Sequence, residues 1–456
     1  MASSVIDSEL FKDQYGTKSM RQVFSEKSQI QSWLNAWSAL AQAEALEKII
    51  PAEAAEEIKA KAQVDNIDMA EVRRGFKITA HPLMPQIQSF SRVLSPQAAK
   101  YLHWGATTQD ITDTGLVLQI KAAQRIIEIQ VHQILEDCLQ RAKQYRNLVM
   151  AGRTHGQQAV PITLGYKVAI WAAEFGRHVE RLQQGKRRYL VGELGGAAGT
   201  LASLGDKGLD VQKRYCQILG LNEPLISWHV SRDGFAEFAS IQALIAGTVA
   251  KIANEIINLQ RTEIGEVEEG FTMGKIGSST MPQKRNPMIC ENIVALTRLV
   301  QANASLGFSG MVQEHERDMT FWQTDWSYLP QMCLNLSKAL QMLHQVLTEM
   351  LVHEDRVKEN LSMTHGMIVA ERVMLVLGHY IGRQRAHQVI YENCMQAFKQ
   401  RKPLLKFLLQ DERVTKKVDE ATLIQILNPE NYSGQAQEMV DRVLKQYSAL
   451  ENKKHS

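Results

Sequence analysis

Residues 116–138 read LVLQIKAAQRIIEIQVHQILEDC, inside a run from 116 to 151 that holds neither glycine nor proline. Leu116, Ile120, Ala123, Ile127, Val131, Ile134 and Cys138 recur at steps of three and four, which places them on one stripe of an α-helix. The spacing returns at Phe238, Ile241, Ile245, Val249, Ile252, Ile256 and Leu259. It returns again at Leu336, Leu340, Leu343, Leu347 and Met350, within a second run free of Gly and Pro from 331 to 365. Helices of that size are roughly 40–50 Å long at about 1.5 Å per residue, well above the mean of about 11–12 residues. A helix with one apolar stripe must bury it against others. A bundle of long helices, within the chain or across subunits, is the simple solution. No strand-like alternation of useful length appears, so the predicted fold class is all-α. A purely structural coiled coil is the plain alternative, but the loops between these helices are long and chemically unusual.

Outward from the stripes, residues 1–112 read as a mixed helical N-terminal domain. Residues 113–360 carry the long helices and a polar loop at about 270–288. Residues 361–456 read as a smaller helical domain, broken into short elements at Pro403, Pro429 and Gly434. The chain has 456 residues, 45% of them hydrophobic, enough for a large core. Its 52 basic and 49 acidic residues nearly cancel, which argues against a nucleic-acid binder held by a broad basic surface. A small anionic substrate needs only a local cluster of cations. Five cysteines, spread widely and with no CxxC pair, speak against a disulfide framework or a zinc site. The N-terminus lacks the pattern of a signal peptide, and no uncharged run is long enough to span a bilayer. The expected location is therefore the reducing cytoplasm, with no membrane partner.

Three polar segments carry candidate chemistry. Residues 274–287, GKIGSSTMPQKRNP, combine hinge glycines, hydroxyls and two cations beside an amide. Such a loop could close over a site and exclude water, and Lys284 and Arg285 suit a carboxylate. A basic surface turn is the plain alternative. Residues 103–114, HWGATTQDITDT, gather hydroxyls and an amide before the first long helix, where free backbone N–H groups attract anions. Simple capping by Thr112 or Asp113 is the competing reading. Residues 152–161, GRTHGQQAVP, place His155 in a short polar turn between helices. Imidazole suits acid catalysis because its pKa lies near working pH.

The stretch GSSTMPQKRNP at 277–287 resembles the signature GSSxMPxKxNP of the fumarase/aspartase superfamily, which includes fumarase, aspartase, argininosuccinate lyase, adenylosuccinate lyase and 3-carboxy-cis,cis-muconate cycloisomerase. The resemblance covers nearly the whole chain. It implies three helical domains, with long central helices assembling into a homotetramer whose active sites each draw on three subunits. It makes Ser278 the general base and Ser279 its hydrogen-bonding neighbour, although the two could be exchanged. A neutral serine is a poor base, so nearby donors and cations must lower its pKa. Lys284 and Asn286 fall where the family binds substrate and stabilises the enolate-like intermediate. Thr107, Thr108 and Gln109 fall where it grips a substrate carboxylate. His155 matches the general acid of the adenylosuccinate lyase branch, His81 loosely matches a second active-site histidine, and Glu291 a glutamate that polarises a histidine. As plain sequence, Glu291 could equally be a surface residue of its helix.

The branch is divided. His103–Thr107, the GGAAGT run at 195–200, Trp228-His229, the QEHER run at 313–317, Thr364-His365-Gly366 and the PENY run at 429–432 resemble the carboxymuconate cycloisomerases, and Arg317 is assigned to substrate binding with them. His155 departs from that branch. Trp322 and Trp326 stand where adenylosuccinate lyase is serine-rich and binds a nucleotide phosphate, and its N-terminal phosphate element is missing. The expectation is a lyase that removes a proton alpha to a carboxylate and expels an amine or oxygen leaving group from a succinyl-type polycarboxylate, yielding fumarate or a related acid. No metal or organic cofactor is implied. Carboxymuconate cycloisomerisation, adenylosuccinate cleavage and an inactive structural bundle are the alternatives.

Overall fold

The computed structural model describes residues 4–270, 281 and 283–451. The fold is all-α, as the stripes imply. Five long helices dominate: Thr108–Gln144, Leu164–Tyr189, Asp233–Leu259, Met288–Ser309 and Met319–Glu349. The first has 37 residues, roughly 55 Å at about 1.5 Å per residue. Its stripe residues Ile120, Ala123, Ile127, Val131, Ile134 and Cys138 are all fully buried.

Helix limits differ from the sequence reading for identifiable reasons. The first long helix begins before Gly115, which lies inside it because a Cβ there would stand 2.4 Å from the Trp33 ring. Asp113 is thus an interior residue and not a cap. Met319–Glu349 continues through Pro330, where the missing N–H ordinarily breaks a helix. It stops at Glu349, and Leu351–Val352 then pairs antiparallel with Val267–Glu268. Leu164–Tyr189 holds three glycines that hide its periodicity. One of them, Gly165, sits where a Cβ would lie 2.6 Å from the Ala142 carbonyl, so a neighbouring helix can approach closely.

The chain divides into two compact units. The first comprises residues 1–130, 178–247 and 295–341, the second residues 131–177, 248–294 and 342–456. In the first, helix Glu26–Leu46 is capped by Ser25, whose hydroxyl accepts from Ser28 N, and buries Trp33, Leu34, Trp37 and Leu40 in the core. Each such side chain contributes about 1.5–3 kcal/mol on burial. The long-helix segments in this unit are tied by Gln124 donating to Leu182 O and by Lys186 with Glu128. In the second, Arg141 donates to Leu347 O, Lys167 pairs with Glu255 and Lys251 with Glu174. A separate cluster around Val373, Leu377, Val389, Leu404, Leu408 and Leu423 forms the core of the C-terminal helices.

The second unit also holds a departure from helix at a predicted site. Val149–Thr154 and Gln157–Thr163 form an antiparallel hairpin. Asp233–Leu259 is the one helix among the described residues long and apolar enough to cross a membrane, and 56% of its apolar 18-residue window is buried.

Candidate active site

In the first unit, residues 103–109 pass from a tight loop into the first long helix. Asp110 accepts Thr107 N at 2.8 Å, satisfying an N-terminal backbone donor. Thr107 Oγ1 accepts from Arg317 Nη1 at 2.6 Å, and Arg317 Nη2 donates to the carbonyls of Gly196 (3.0 Å) and Ala197 (2.8 Å). Arg317 Nε has no hydrogen-bond partner among the described residues.

Thr108 Oγ1 lies 3.3 Å from His81 Nε2. His81 Nδ1 accepts Leu83 N (3.2 Å) and Met84 N (3.0 Å), so in the neutral ring the proton is on Nε2, facing Thr108. His103 is fixed in a similar way, because Trp37 Nε1 donates to its Nδ1 at 3.0 Å. Burial, partly offset by Asp110, holds His103 below the usual imidazole range.

His81, Thr108, Gln109 and Arg317 line one cavity of about 270 Å³, together with Phe76, Met319, Trp322 and Trp326. The two tryptophan rings meet edge-on with centroids 5.2 Å apart. Trp322 is buried, and its Nε1 lacks a partner among the described residues. The lining of the cavity is therefore partly cationic and hydroxylic and partly aromatic. Gln109 is fully buried with both amide hydrogens engaged, by Asp113 and by His229 O, each at 2.9 Å. It presents to this cavity an amide whose donors are already committed.

Beneath these groups lies a charged cluster that the sequence reading did not single out. Asp110, Glu193 and His229 are buried, as are Asp113, Arg232 and Asp325. Arg232 bridges Asp113 and Asp325. His229 Nε2 is 2.8 Å from Asp110 Oδ1, and its Nδ1 is 3.1 Å from Ser227 Oγ, which donates to Glu193 Oε1. Burial chiefly pushes Glu193 up to about 7, against the pull of His229. Burial pulls His229 down, but Asp110 and Glu193 outweigh it and its pKa is raised. The ligand atoms of Asp110, Glu193 and His229 lie within 4.8 Å of one another. They suit hydrogen bonds better than a cation, because Asp110 also accepts Gly195 N and Gly196 N, and Glu193 accepts Trp228 N. The available sequence signal was Asp110 and Asp113, one turn apart on a helix whose interior face is apolar.

His155, Lys284, Asn286 and Glu291 belong to the second unit. His155 is at the hairpin tip, exposed, with φ of 53° and Gly156 following at 76°. Two successive left-handed residues make the turn that matches strand twist, and histidine tolerates this region better than most residues. His155 thus projects from a β-hairpin, not from a plain turn between helices. The hairpin is anchored by Arg153, whose two nitrogens bind Glu266 at 2.9 and 2.6 Å, and Asn360 also donates to Glu266. Lys284, Asn286 and Glu291 line an open cleft of about 710 Å³ with Gln260, Glu268 and His353. Arg285 and His353 both pair with Glu268 there. Glu291 is exposed in the first turn of Met288–Ser309. Glu269 caps that helix by accepting Ile289 N and Cys290 N. Ser278 and Ser279 lie outside the described residues.

Residues 13–302 match the family described as Lyase, and residues 366–443 match the adenylosuccinate lyase C-terminus. This chain belongs to the fumarase/aspartase superfamily. It is similar to an N-acetyl-S-(2-succino)cysteine lyase of Enterococcus italicus, at 41% identity over 97% of both chains. It is also similar to a 3-carboxy-cis,cis-muconate cycloisomerase of Acinetobacter baylyi, at 38% identity over 96% of this chain and 98% of the other. Among solved structures, a fumarate lyase from Mesorhizobium sp. BNC1 superposes with a TM-score of 0.89 at 38% identity, covering 94% of this chain and 98% of that one. The superfamily chain described here is accordingly an enzyme of the lyase and cycloisomerase kind.

Proposed function

We propose that this superfamily enzyme eliminates a leaving group from a 2-substituted succinate, releasing fumarate, and that the leaving group is a small non-nucleotide thiol of the N-acylcysteine kind. The carrying observation is the mixed lining of one cavity. Arg317 and Thr108, which suit a carboxylate, line it together with the aromatic rings of Trp322 and Trp326. Aromatic rings favour a thioether sulfur. The relative named N-acetyl-S-(2-succino)cysteine lyase supports sulfur over the nitrogen or oxygen expected from sequence.

In this reading Ser278 removes the proton on the carbon alpha to one carboxylate. The resulting aci-carboxylate carries a second negative charge on that carboxyl, stabilised by Lys284 and Asn286. Its collapse forms the C=C bond and breaks the C–S bond. The thiolate departs with a proton from His155. Thiols have pKa values near 8.5, so the acid contributes less here than it would for an amine.

We also propose a homotetramer in the cytoplasm with sites shared between subunits. His155 is exposed in the single chain, whereas an acid working beside a developing charge needs a water-excluded site. Ile129, Ile170, Leu244 and Leu299 are exposed on four of the long helices, and soluble monomers rarely leave large apolar patches uncovered.

The second reading is carboxymuconate cycloisomerisation, favoured by the relative of that name. A panel of N-acetyl-S-(2-succino)cysteine, adenylosuccinate, aspartate and malate followed by fumarate formation, with carboxymuconate followed by loss of its own diene absorbance because lactone closure releases no fumarate, tests the choice. Fastest turnover of the thioether supports it, and fastest turnover of carboxymuconate overturns it.

A further inference from the structure

Asp110 accepts four hydrogen bonds within a buried setting. Oδ1 takes Gly195 N and His229 Nε2, each at 2.8 Å, and Oδ2 takes Thr107 N at 2.8 Å and Gly196 N at 3.0 Å. These donors come from three chain segments far apart in sequence. Two of the same segments supply every described acceptor of Arg317, namely Thr107 Oγ1 and the carbonyls of Gly196 and Ala197. A carboxylate saturated by four donors is a rigid node, because moving any one segment costs a charge-assisted hydrogen bond in a dry interior.

We infer that Asp110, backed by His229, is a positioning residue that clamps the 103–109 and 194–199 segments together and thereby holds Arg317 at the angle that receives a substrate carboxylate. Asp110 is not among the residues lining the cavity. It acts through the backbone it fastens. His229 is the second half of the clamp: its Nε2–H donates to Asp110 and its Nδ1 is held by Ser227, whose hydroxyl goes to Glu193. The chain Glu193–Ser227–His229–Asp110 fixes the ring and keeps a positive partner beside the carboxylate. The inference rests on the proposed role of Arg317 in carboxylate binding.

The test uses the full-length protein with Asp110→Asn and Arg317→Lys, singly and together, and two readouts. The first is amide hydrogen exchange of peptides covering 103–109 and 194–199, read by mass spectrometry. The second is affinity for fumarate by calorimetry. Asp110→Asn is expected to speed exchange at least tenfold in both segments at once, with the C-terminal helices unchanged. It is expected to weaken fumarate at least tenfold, and the double variant to be no weaker than Arg317→Lys alone. Exchange at the parent rate, or losses that multiply in the double variant, would overturn the clamp. If Arg317→Lys leaves fumarate affinity intact, or the parent takes up no fumarate, the proposed role of Arg317 fails instead, and the exchange readout decides the clamp by itself. Should Asp110→Asn not fold, His229→Gln carries the same expectations at about threefold.

Discussion

Arg317 donates to Thr107 Oγ1 across 2.6 Å although 210 positions separate the two residues. The threonine hydroxyl is therefore committed to holding a cation. Thr107→Val should remove that acceptor and raise KM about tenfold, the scale of one hydrogen bond to a charged group, with kcat little changed. Thr107→Ser should restore the native value. Equal KM for all three enzymes in steady-state kinetics would sink this assignment.

His81 has two separable functions. Its Nδ1 accepts two backbone N–H groups at the start of helix Met84–Val93, and its Nε2 reaches Thr108. Asparagine is a good cap but is too short to reach. His81→Asn should leave unfolding free energy within about 0.5 kcal/mol of the parent while KM rises. A drop in stability with unchanged kinetics would show that the histidine serves the fold alone.

His155 occupies a backbone position that glycine also accepts, so His155→Gly should keep the hairpin and the melting temperature. On an N-succinyl substrate, where the leaving nitrogen needs a proton, kcat should fall by about 10²–10⁴. On an S-succinyl substrate the fall should be smaller. Equal losses on both would mean that the imidazole does not serve the leaving group.

Glu44 is fully buried, neither of its oxygens has a partner among the described residues, and burial pushes its pKa up to about 9 from 4.5. The folded chain then holds this proton more tightly than the unfolded chain. Its contribution is complete below about pH 4.5 and lost as pH rises toward 9, at up to about 1.4 kcal/mol per pH unit. Glu193, raised to about 7, acts in the same direction in both proteins. The informative quantity is thus the difference between parent and Glu44→Gln in denaturant titrations at several pH values. The difference should widen in the variant's favour between pH 5 and 9, and a constant difference would refute the burial argument.

These residues also mark where sequence legibility stops. The stripes at 116–138 and 238–259 revealed long helices because a 3.6-residue period is a local property of the chain. Leu164–Tyr189 was obscured because its glycines serve close packing against residues elsewhere, such as Ala142 at Gly165. The hairpin bearing His155 was missed because Gly152, Gly156 and Pro161 interrupt its alternation. The polar segments could be picked out by composition. The joining of Thr107 to Arg317, and of Asp110 to Gly195, Gly196 and His229, depends on tertiary packing that no local pattern encodes. Likewise, Pro330 inside Met319–Glu349 shows packing prevailing over a local breaker.

The central claim is elimination from a succinyl thioether, begun by Ser278. The most direct measurement incubates the purified enzyme with N-acetyl-S-(2-succino)cysteine and quantifies fumarate and free thiol together, beside Ser278→Ala and Ser279→Ala. The account predicts fumarate and thiol in equal amounts from the parent, none above background from Ser278→Ala, and residual turnover from Ser279→Ala. Turnover retained by Ser278→Ala, or no thiol release by the parent while it converts carboxymuconate rapidly, would contradict it.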